Sequence, residues 1–252
     1  MDAIIEVHNL TVGFGSHILL QKISFQVFRG EVLALLGGSG CGKSTLMKVL
    51  IGLVPAQAGS ISIAGERLNP TNPQSYGTIL THIGVMFQGG ALLSSLTLAE
   101  NIMLPLVERA GLSQEQAWDL ARIKLHRVGL AGFERYLPEE ISGGMRKRAA
   151  IARAMALDPD ILFLDEPSAG LDPITSAELD ALITHLNTHG TTVVLVSHEL
   201  PSILAVAHRA LVLHKETRSI VAQGNPKDLR DHPPHPFVAH FFHRTPWEDN
   251  IP

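Results

Sequence analysis

The residues Gly37-Gly38-Ser39-Gly40-Cys41-Gly42-Lys43-Ser44-Thr45 satisfy the pattern G-x-x-x-x-G-K-[ST] without a mismatch. Glycines in such a loop let several backbone N–H groups turn toward one anion, in conformations that side chains would block. Lys43 adds a point charge for β- and γ-phosphates, Ser44 is placed to hold Mg²⁺, and a helix beginning here offers its positive end to phosphate. A second anion cradle, Ile141-Ser142-Gly143-Gly144-Met145, opens another helix with bare amides and a capping serine. Asp165-Glu166 closes one apolar run, and His198 follows another. Asp165 is placed to orient a Mg²⁺ shell, and Glu166 to polarise a water that attacks a γ-phosphate. In this order the residues point to ATP-driven work.

These side chains need a scaffold that delivers them to one place. The loop at 37–45 follows the apolar run Val32-Leu33-Ala34-Leu35-Leu36 and precedes the helix-like Leu46-Met47-Lys48-Val49-Leu50, the strand–loop–helix context that a P-loop requires. Continuous apolar runs at 83–87, 161–164 and 192–196 read as strands covered on both faces, as in a parallel sheet whose strand exits hold the ligand. The first third reads as short strands at 4–7, 23–27, 32–36 and 60–64, with Gly13, Gly15, Gly30 and Gly59 as punctuation. From 92 to 157 the pattern turns helical: Ser113 with Gln116 forms a capping box, and Ala117, Leu120, Ala121, Leu125 and Val128 recur at helical spacing. This stretch reads as an inserted lobe with Gly89-Gly90 as its entry hinge. A hairpin at 211–213 and 220–222 follows, after which Pro233, Pro234 and Pro236 are expected to end regular structure.

With 252 residues, 45% of them hydrophobic, the chain can bury one large core or two modest lobes. A net charge of −4 and a pI near 6.3 give no electrostatic footprint for nucleic acid, which argues against a DNA or RNA partner. The single cysteine, Cys41, excludes an internal disulfide and suits a reducing compartment; in the loop it either acts as a reactive thiol or fills a tight turn. The first residues carry no basic region followed by a long apolar stretch, so no secretion signal is expected, and no apolar run reaches the roughly 18 residues a membrane crossing needs.

Taken together, the P-loop at 37–45, Gln88, the signature at 142–145, Asp165-Glu166, Ala169-Gly170-Leu171-Asp172 and His198 resemble the full motif set of ABC-type ATPases, over residues 4 to 225. The resemblance implies an α/β fold: a P-loop NTPase core with a mixed sheet, an antiparallel β subdomain and an inserted α-helical subdomain. It divides the chain into an ATPase domain at 1–230, with the helical subdomain at about 89–158, and a tail at 231–252. It also implies two copies closing head to tail, so that Ser142, Gly143 and Gly144 of one cover ATP held by the P-loop of the other. By the same resemblance Phe14 stacks on adenine, Gln88 serves Mg²⁺, water and interdomain coupling, His198 meets the γ-phosphate, and Asp172 links the two sites. ATP and Mg²⁺ are the implied cofactors.

A narrower similarity concerns cargo. The segment Phe87-Gln88-Gly89-Gly90-Ala91-Leu92-Leu93, running on to Ile102, looks like the ATPase subunit of Mla or Mce-type phospholipid transporters, as do Met145 in place of the general family's glutamine and Asp172-Pro173-Ile174-Thr175. That branch implies an integral membrane permease, a periplasmic Mce-domain protein and a small cytoplasmic regulatory subunit as partners. The location it implies is peripheral, at the cytoplasmic face of the inner membrane. Alternatives are the ATPase of another importer, such as one for amino acids, or a non-transport ABC protein. The last usually has two ATPase modules or a long coiled-coil insertion, and neither is visible here. In the tail, His232, His235, His240 and His243 invite a metal hypothesis, but their spacing is irregular and no acidic or cysteine partners adjoin them. The apolar patch Pro236-Phe237-Val238-Ala239-His240-Phe241-Phe242 docks either on the chain's own body or on another subunit; similar tails reach the neighbouring ATPase, which favours the second.

Overall fold

Alternating side chains along the apolar strands feed separate cores, and this pleat organises the molecule. The computed structural model describes residues 2–247. The chain opens with β1 (Ala3–Phe14), β2 (His17–Phe28) and β3 (Val32–Gly37), then α1 (Lys43–Leu50), β4 (Ala58–Ile63) and β5 (Glu66–Arg67). Next come α2 (Pro73–His82), β6 (Ile83–Met86), α3 (Leu98–Glu108), α4 (Gln114–Arg127), a 3₁₀ turn at Pro138–Glu140 and α5 (Gly143–Ala154). The remainder is β7 (Ile161–Asp165), α6 (Pro173–Thr188), β8 (Thr192–Val196), α7 (Leu200–Val206), β9 (Arg209–His214), β10 (Ser219–Gly224), α8 (Pro226–Asp231) and α9 (Pro236–His243).

Two sheets result: an antiparallel one in the order β2-β1-β4-β5 and a six-stranded one in the order β10-β9-β3-β8-β7-β6. In the second, β9, β3, β8, β7 and β6 are parallel neighbours and β10 pairs antiparallel at the edge. Successive residues of a strand face opposite ways. In β8, Val194 and Val196 join a core shared with α1 and the antiparallel sheet, whereas Val193 and Leu195 join one shared with α3, α4, α5 and α6. Ala34 and Leu36 of β3 enter a third core under α7, α8 and α9. Every residue of β3, β7 and β8 is buried, as their unbroken apolar runs require.

The structure departs from the sequence expectations in several places. Strands β1 and β2 run 12 residues each, longer than the short strands expected, and neither Gly13 nor Gly59 punctuates: Gly13 pairs with Ile18 inside β1, Gly59 lies inside β4, and the reversal falls at Gly15 and Ser16. Helix α2 has no apolar stripe to announce it, since Ile79 is its one buried residue; it is started locally, by Asn72 capping the amides of Gln74 and Ser75 ahead of Pro73. Pro236 begins a helix instead of ending structure, because at the first helical position its missing N–H costs no hydrogen bond and its fixed φ suits the turn.

Candidate functional site

Strand β3 carries the chain to Gly37 in a left-handed conformation, φ 143°. A Cβ there would stand 2.4 Å from the carbonyl oxygen of Leu213 and 2.7 Å from Cys41 Sγ, so only glycine fits. After the loop, Gly42 at φ 101° leads into α1 with no side chain bonded to its first turn, leaving those amides and the positive helix end for an anion. Lys43 Nζ reaches back across the loop to the carbonyls of Gly37 (2.8 Å) and Gly38 (3.0 Å) and lies 3.9 Å from Cys41 Sγ. Cys41 is 1% exposed, and burial pushes its thiol up against the lowering pull of Lys43. That protonated, enclosed thiol suits filling of a tight turn better than nucleophilic chemistry.

Ser44, on the first turn of α1, donates its hydroxyl to Asp165 Oδ1 at 3.1 Å. The two oxygens thus converge where β7 ends, and they are donors of the kind Mg²⁺ takes. One residue on, the Glu166 backbone swings to φ 50°, a conformation that costs a residue with a side chain about 1 kcal/mol or more. It is held there by its N–H, which donates to the Val196 carbonyl at 2.8 Å, and by Lys147 Nζ, 3.3 Å from its own carbonyl. Its carboxylate meets His198 Nδ1 through Oε1 at 2.8 Å, while Oε2 is buried with no partner. A buried carboxylate oxygen without a donor is costly unless something outside the chain supplies one, as a water beside a phosphate does.

Around the signature, the same chain assembles a second cluster. Ser142 caps α5, accepting from the Met145 amide at 3.3 Å. A Cβ on Gly144 would lie 2.3 Å from Thr175 Cγ2, so the glycine lets α5 sit against the start of α6. Asp172 caps α6, accepting from the amides of Ile174 and Thr175 at 3.0 Å each and from the Thr175 hydroxyl at 2.5 Å; these bonds hold its carboxyl below the usual range. A cleft of about 590 Å³ lined by Gln88, Gly89, Gly143, Lys147, Gly170 and Leu171 lies between. No hydrogen bond or ion pair among the described residues joins Ser142, Gly143 or Gly144 to the loop at 37–45. Gln88 enters through its backbone, its carbonyl accepting from Lys147 Nζ at 2.6 Å, and its side chain makes no hydrogen bond among the described residues. Phe14 stands 57% exposed at the end of β1, and β2 begins against Gly42, where a Cβ would be 3.3 Å from Leu19.

Several residues that build the site were not legible beforehand. Asn101, fully buried in α3, donates its amide to the carbonyls of Leu93, Leu96 and Thr97 and accepts from the Leu93 amide, fixing the loop that follows Gln88. Arg153 of α5 donates to the Ala91 carbonyl, so cations from one helix hold both ends of the segment 88–91. In the tail, Phe237, Val238 and Phe242 are buried against β3, β9 and β10. These three side chains of the patch pack on the chain's own body. Phe237 comes to the phosphate loop, its Cζ 3.8 Å from where a Gly38 Cβ would be. Two of the tail histidines serve locally: His235 Nδ1 accepts from the Phe237 amide, and the His240 ring packs 5.1 Å from Trp247. No group of three or more metal-ligating side chains occurs among the described residues.

Comparison with known proteins agrees with this geometry. The chain is 36% identical over 231 residues to the intermembrane phospholipid transport system ATP-binding protein MlaF of Escherichia coli K12, covering 91% of this chain and 85% of that protein. It is 43% identical over 201 residues to the probable ribonucleotide transport ATP-binding protein mkl of Mycobacterium leprae, covering 79% of this chain but 58% of that protein. Among solved structures, cbiO1 of Clostridium perfringens, part of the ABC transporter complex cbiONQ, superposes with a TM-score of 0.83 at 28% identity over 92% of both chains. The ATP-binding cassette MJ0796, solved as a dimer bound to ADP and Pi, superposes with a TM-score of 0.78 at 30% identity over 88% of this chain and 98% of that one. The family described as ABC transporter matches residues 20–169, and this chain belongs to the ABC transporter family as an ATP-binding cassette of the ATPase type.

Proposed function

We propose that this chain is the ATP-hydrolysing subunit of a transporter that moves phospholipid between membranes. The observation that carries the cargo is the similarity to MlaF across 91% of the chain; the chemistry rests on the buried, half-partnered carboxylate of Glu166 beside Ser44 and Asp165. ATP lies on the loop at 37–45, its base against Phe14 and its phosphates on the loop amides, Lys43 and the start of α1. Ser44 and Asp165, with Gln88, would hold Mg²⁺, and such an ion would supply positive charge to offset that of the phosphates. Glu166 orients and accepts a proton from the attacking water, and His198 fixes the carboxylate by its bond to Oε1 and faces the γ-phosphate.

Because the signature stands apart from the P-loop within one chain, the reading supplies the missing half of each site from a second copy. Ser142, Gly143 and Gly144 then act across the interface, and Asp172 lies between the two sites. No described helix is long and apolar enough to cross a membrane, so cargo movement falls to an integral permease docked near residues 88–102. The remaining partners in this reading are a periplasmic Mce-domain protein and a small regulatory subunit, with the cassette on the cytoplasmic face of the inner membrane. A second reading, import of a different solute, is favoured by the 43% identity to a relative named for ribonucleotide transport.

Isolating the intact assembly from membranes through a tag on the full chain, then identifying its subunits and extractable lipids, tests this. A permease, an Mce-domain protein and bound phospholipid are expected. A soluble solute-binding protein in their place would overturn the lipid reading, and an assembly that does not cleave ATP would overturn the whole of it.

A further inference from the structure

We propose that Lys147 is a positioning residue for ATP cleavage, a tie that fixes the backbone of the hydrolytic glutamate and of the glutamine segment to the signature helix. The inference rests on the reading of Glu166 given above. Lys147 sits one turn into α5, the helix that Ser142 caps. Its ammonium bonds two carbonyls far apart in sequence, Gln88 at 2.6 Å and Glu166 at 3.3 Å. Neither acceptor is an ordinary loop carbonyl. Glu166 is held at φ 50°, and its peptide oxygen is one of two backbone anchors that keep it there, the other being its N–H on Val196. Gln88 opens a short strap whose far end, Ala91 at φ 52°, is gripped by Arg153 of the same helix.

Helix α5 therefore holds the strap at both ends and the glutamate at one. A rigid-body shift of the helical lobe, transmitted along α5, moves the Glu166 backbone and the strap together. The geometry needs a cation with a long, flexible stem: the ammonium has three donors, and two of them are spent on these carbonyls. Burial pulls the ammonium below the ordinary lysine range, against the smaller raising pull of the Glu166 and Asp165 carboxylates. Losing the tie leaves the carbonyl of the strained Glu166 with the Ala169 amide of its own turn, at 3.3 Å, and with no bond to α5. A misplacement on the order of 1 Å at a reacting group can cost about 10²-fold in rate.

The test compares full-length wild type, Lys147→Met, Lys147→Arg and Glu166→Gln, each in the assembly isolated from membranes. Turnover, KM for ATP, affinity for a fluorescent ATP analogue and melting temperature are read for all four. Lys147→Met is expected to lower kcat by about 10²-fold while KM changes by less than about threefold, the signature of a lost transition-state arrangement. Its melting temperature should stay within about 4 °C of wild type. Lys147→Arg, which keeps a charged donor, is expected to recover most of the rate. Wild-type kcat in Lys147→Met overturns the proposal, as does an equal loss in the folded Met and Arg variants. If Lys147→Met does not fold, Lys147→Gln, a shorter neutral donor, is read by the same criteria. Glu166→Gln separates the two levels: if it leaves turnover intact, the reading of the glutamate fails, and if it abolishes turnover while Lys147→Met is normal, only the Lys147 inference fails.

Discussion

Glu166 and His198 share one hydrogen bond, 2.8 Å from Oε1 to Nδ1, and the carboxylate's other oxygen is buried with nothing in the chain to meet it. The imidazole is more than half exposed while the carboxylate is not, so the histidine faces outward and the free oxygen inward. One oxygen is thus committed to orientation and one is left for a reactant. Glu166→Gln keeps the shape and the bond from His198 but removes the charge that accepts a proton. Turnover should fall by about 10²- to 10⁴-fold with ATP affinity retained, and ATP-bound pairs should accumulate as a doubled species in size-exclusion chromatography. Residual hydrolysis near the wild-type rate would remove the glutamate from the chemistry.

Lys43 holds the opposite side of the site. Its ammonium bridges the carbonyls of Gly37 and Gly38, contacts it can exchange for phosphate oxygens. Charged hydrogen bonds of this kind contribute about 1.5–3 kcal/mol, so Lys43→Ala should weaken ATP binding by about 10- to 100-fold. Equilibrium binding of ATP measured by calorimetry decides, and an unchanged affinity would contradict the phosphate role. The fold should survive, because the loop's path is set by Gly37 and Gly42, not by the lysine.

The parts of this site that could be read in advance are those encoded in contiguous residues. The loop at 37–45 and the acids closing β7 are strings, and the strands that carry them are unbroken apolar runs, so residue type and order suffice. The same holds for the capping box of Ser113 and Gln116, which α4 shows in full. Lys147 escaped because its partners lie 59 and 19 residues away, and a long flexible side chain leaves no periodicity that says whom it reaches. Asn101 escaped for a related reason: a polar residue within an apolar helix gives no sign that four loop groups will bond to it. In the tail, proline as a breaker predicts an end to regular structure, whereas Pro236 occupies the helical position that tolerates it.

Asn101 should prove a stability residue with a functional reach. At fully buried Asn101, Asn101→Ala leaves the Leu96 carbonyl without its donor and the Leu93 amide without its acceptor, while the carbonyls of Leu93 and Thr97 keep the backbone amides of Leu96 and residue 101. A loss of roughly 2–4 kcal/mol is expected in urea unfolding, together with loosening of the loop after Gln88. Hydrogen exchange across 92–97 should rise well before exchange in β3 or β7 does. Equal protection in both regions would mean the amide does not hold the loop.

Asp172 and Glu100 predict part of the acid response. The Thr175 hydroxyl and amide pull the Asp172 carboxyl down, and the Thr97 amide and hydroxyl do the same for Glu100. A carboxyl lowered on folding adds stability that is present above its unfolded value, roughly 3.9 for aspartate and 4.3 for glutamate, and that is lost as pH falls through the lower folded value. Asp172→Asn, which keeps a capping oxygen without the titration, should therefore match wild type less well at neutral pH and converge on it below about pH 4. Urea midpoints of both proteins between pH 7 and pH 3 provide the measurement. A constant gap over that range would show that the cap's charge does not matter.

The tail offers the sharpest choice between a structural and an intersubunit role. Phe237 is buried in one core with Ala34, Leu36 and Val212 of its own chain, its ring packs 4.6 Å from His214, and its Cζ lies 3.8 Å from where a Gly38 Cβ would stand. Removing a buried aromatic side chain costs about 3–5 kcal/mol, so Phe237→Ala should lower the melting temperature by several degrees. Because the ring packs in its own chain's core, pairing in the Glu166→Gln background should persist at temperatures where the variant is folded. The reverse pattern, an unchanged melting temperature with pairing lost, would mean that the apolar patch leaves its own body when two copies meet. Truncation after Asp231 extends the comparison: it removes Val238 and Phe242 along with Phe237 and uncovers the outer face of β3 and β9, so it should cost more stability than the point variant. An intersubunit contact limited to the last residues, in contrast, would make the truncation no less stable than wild type.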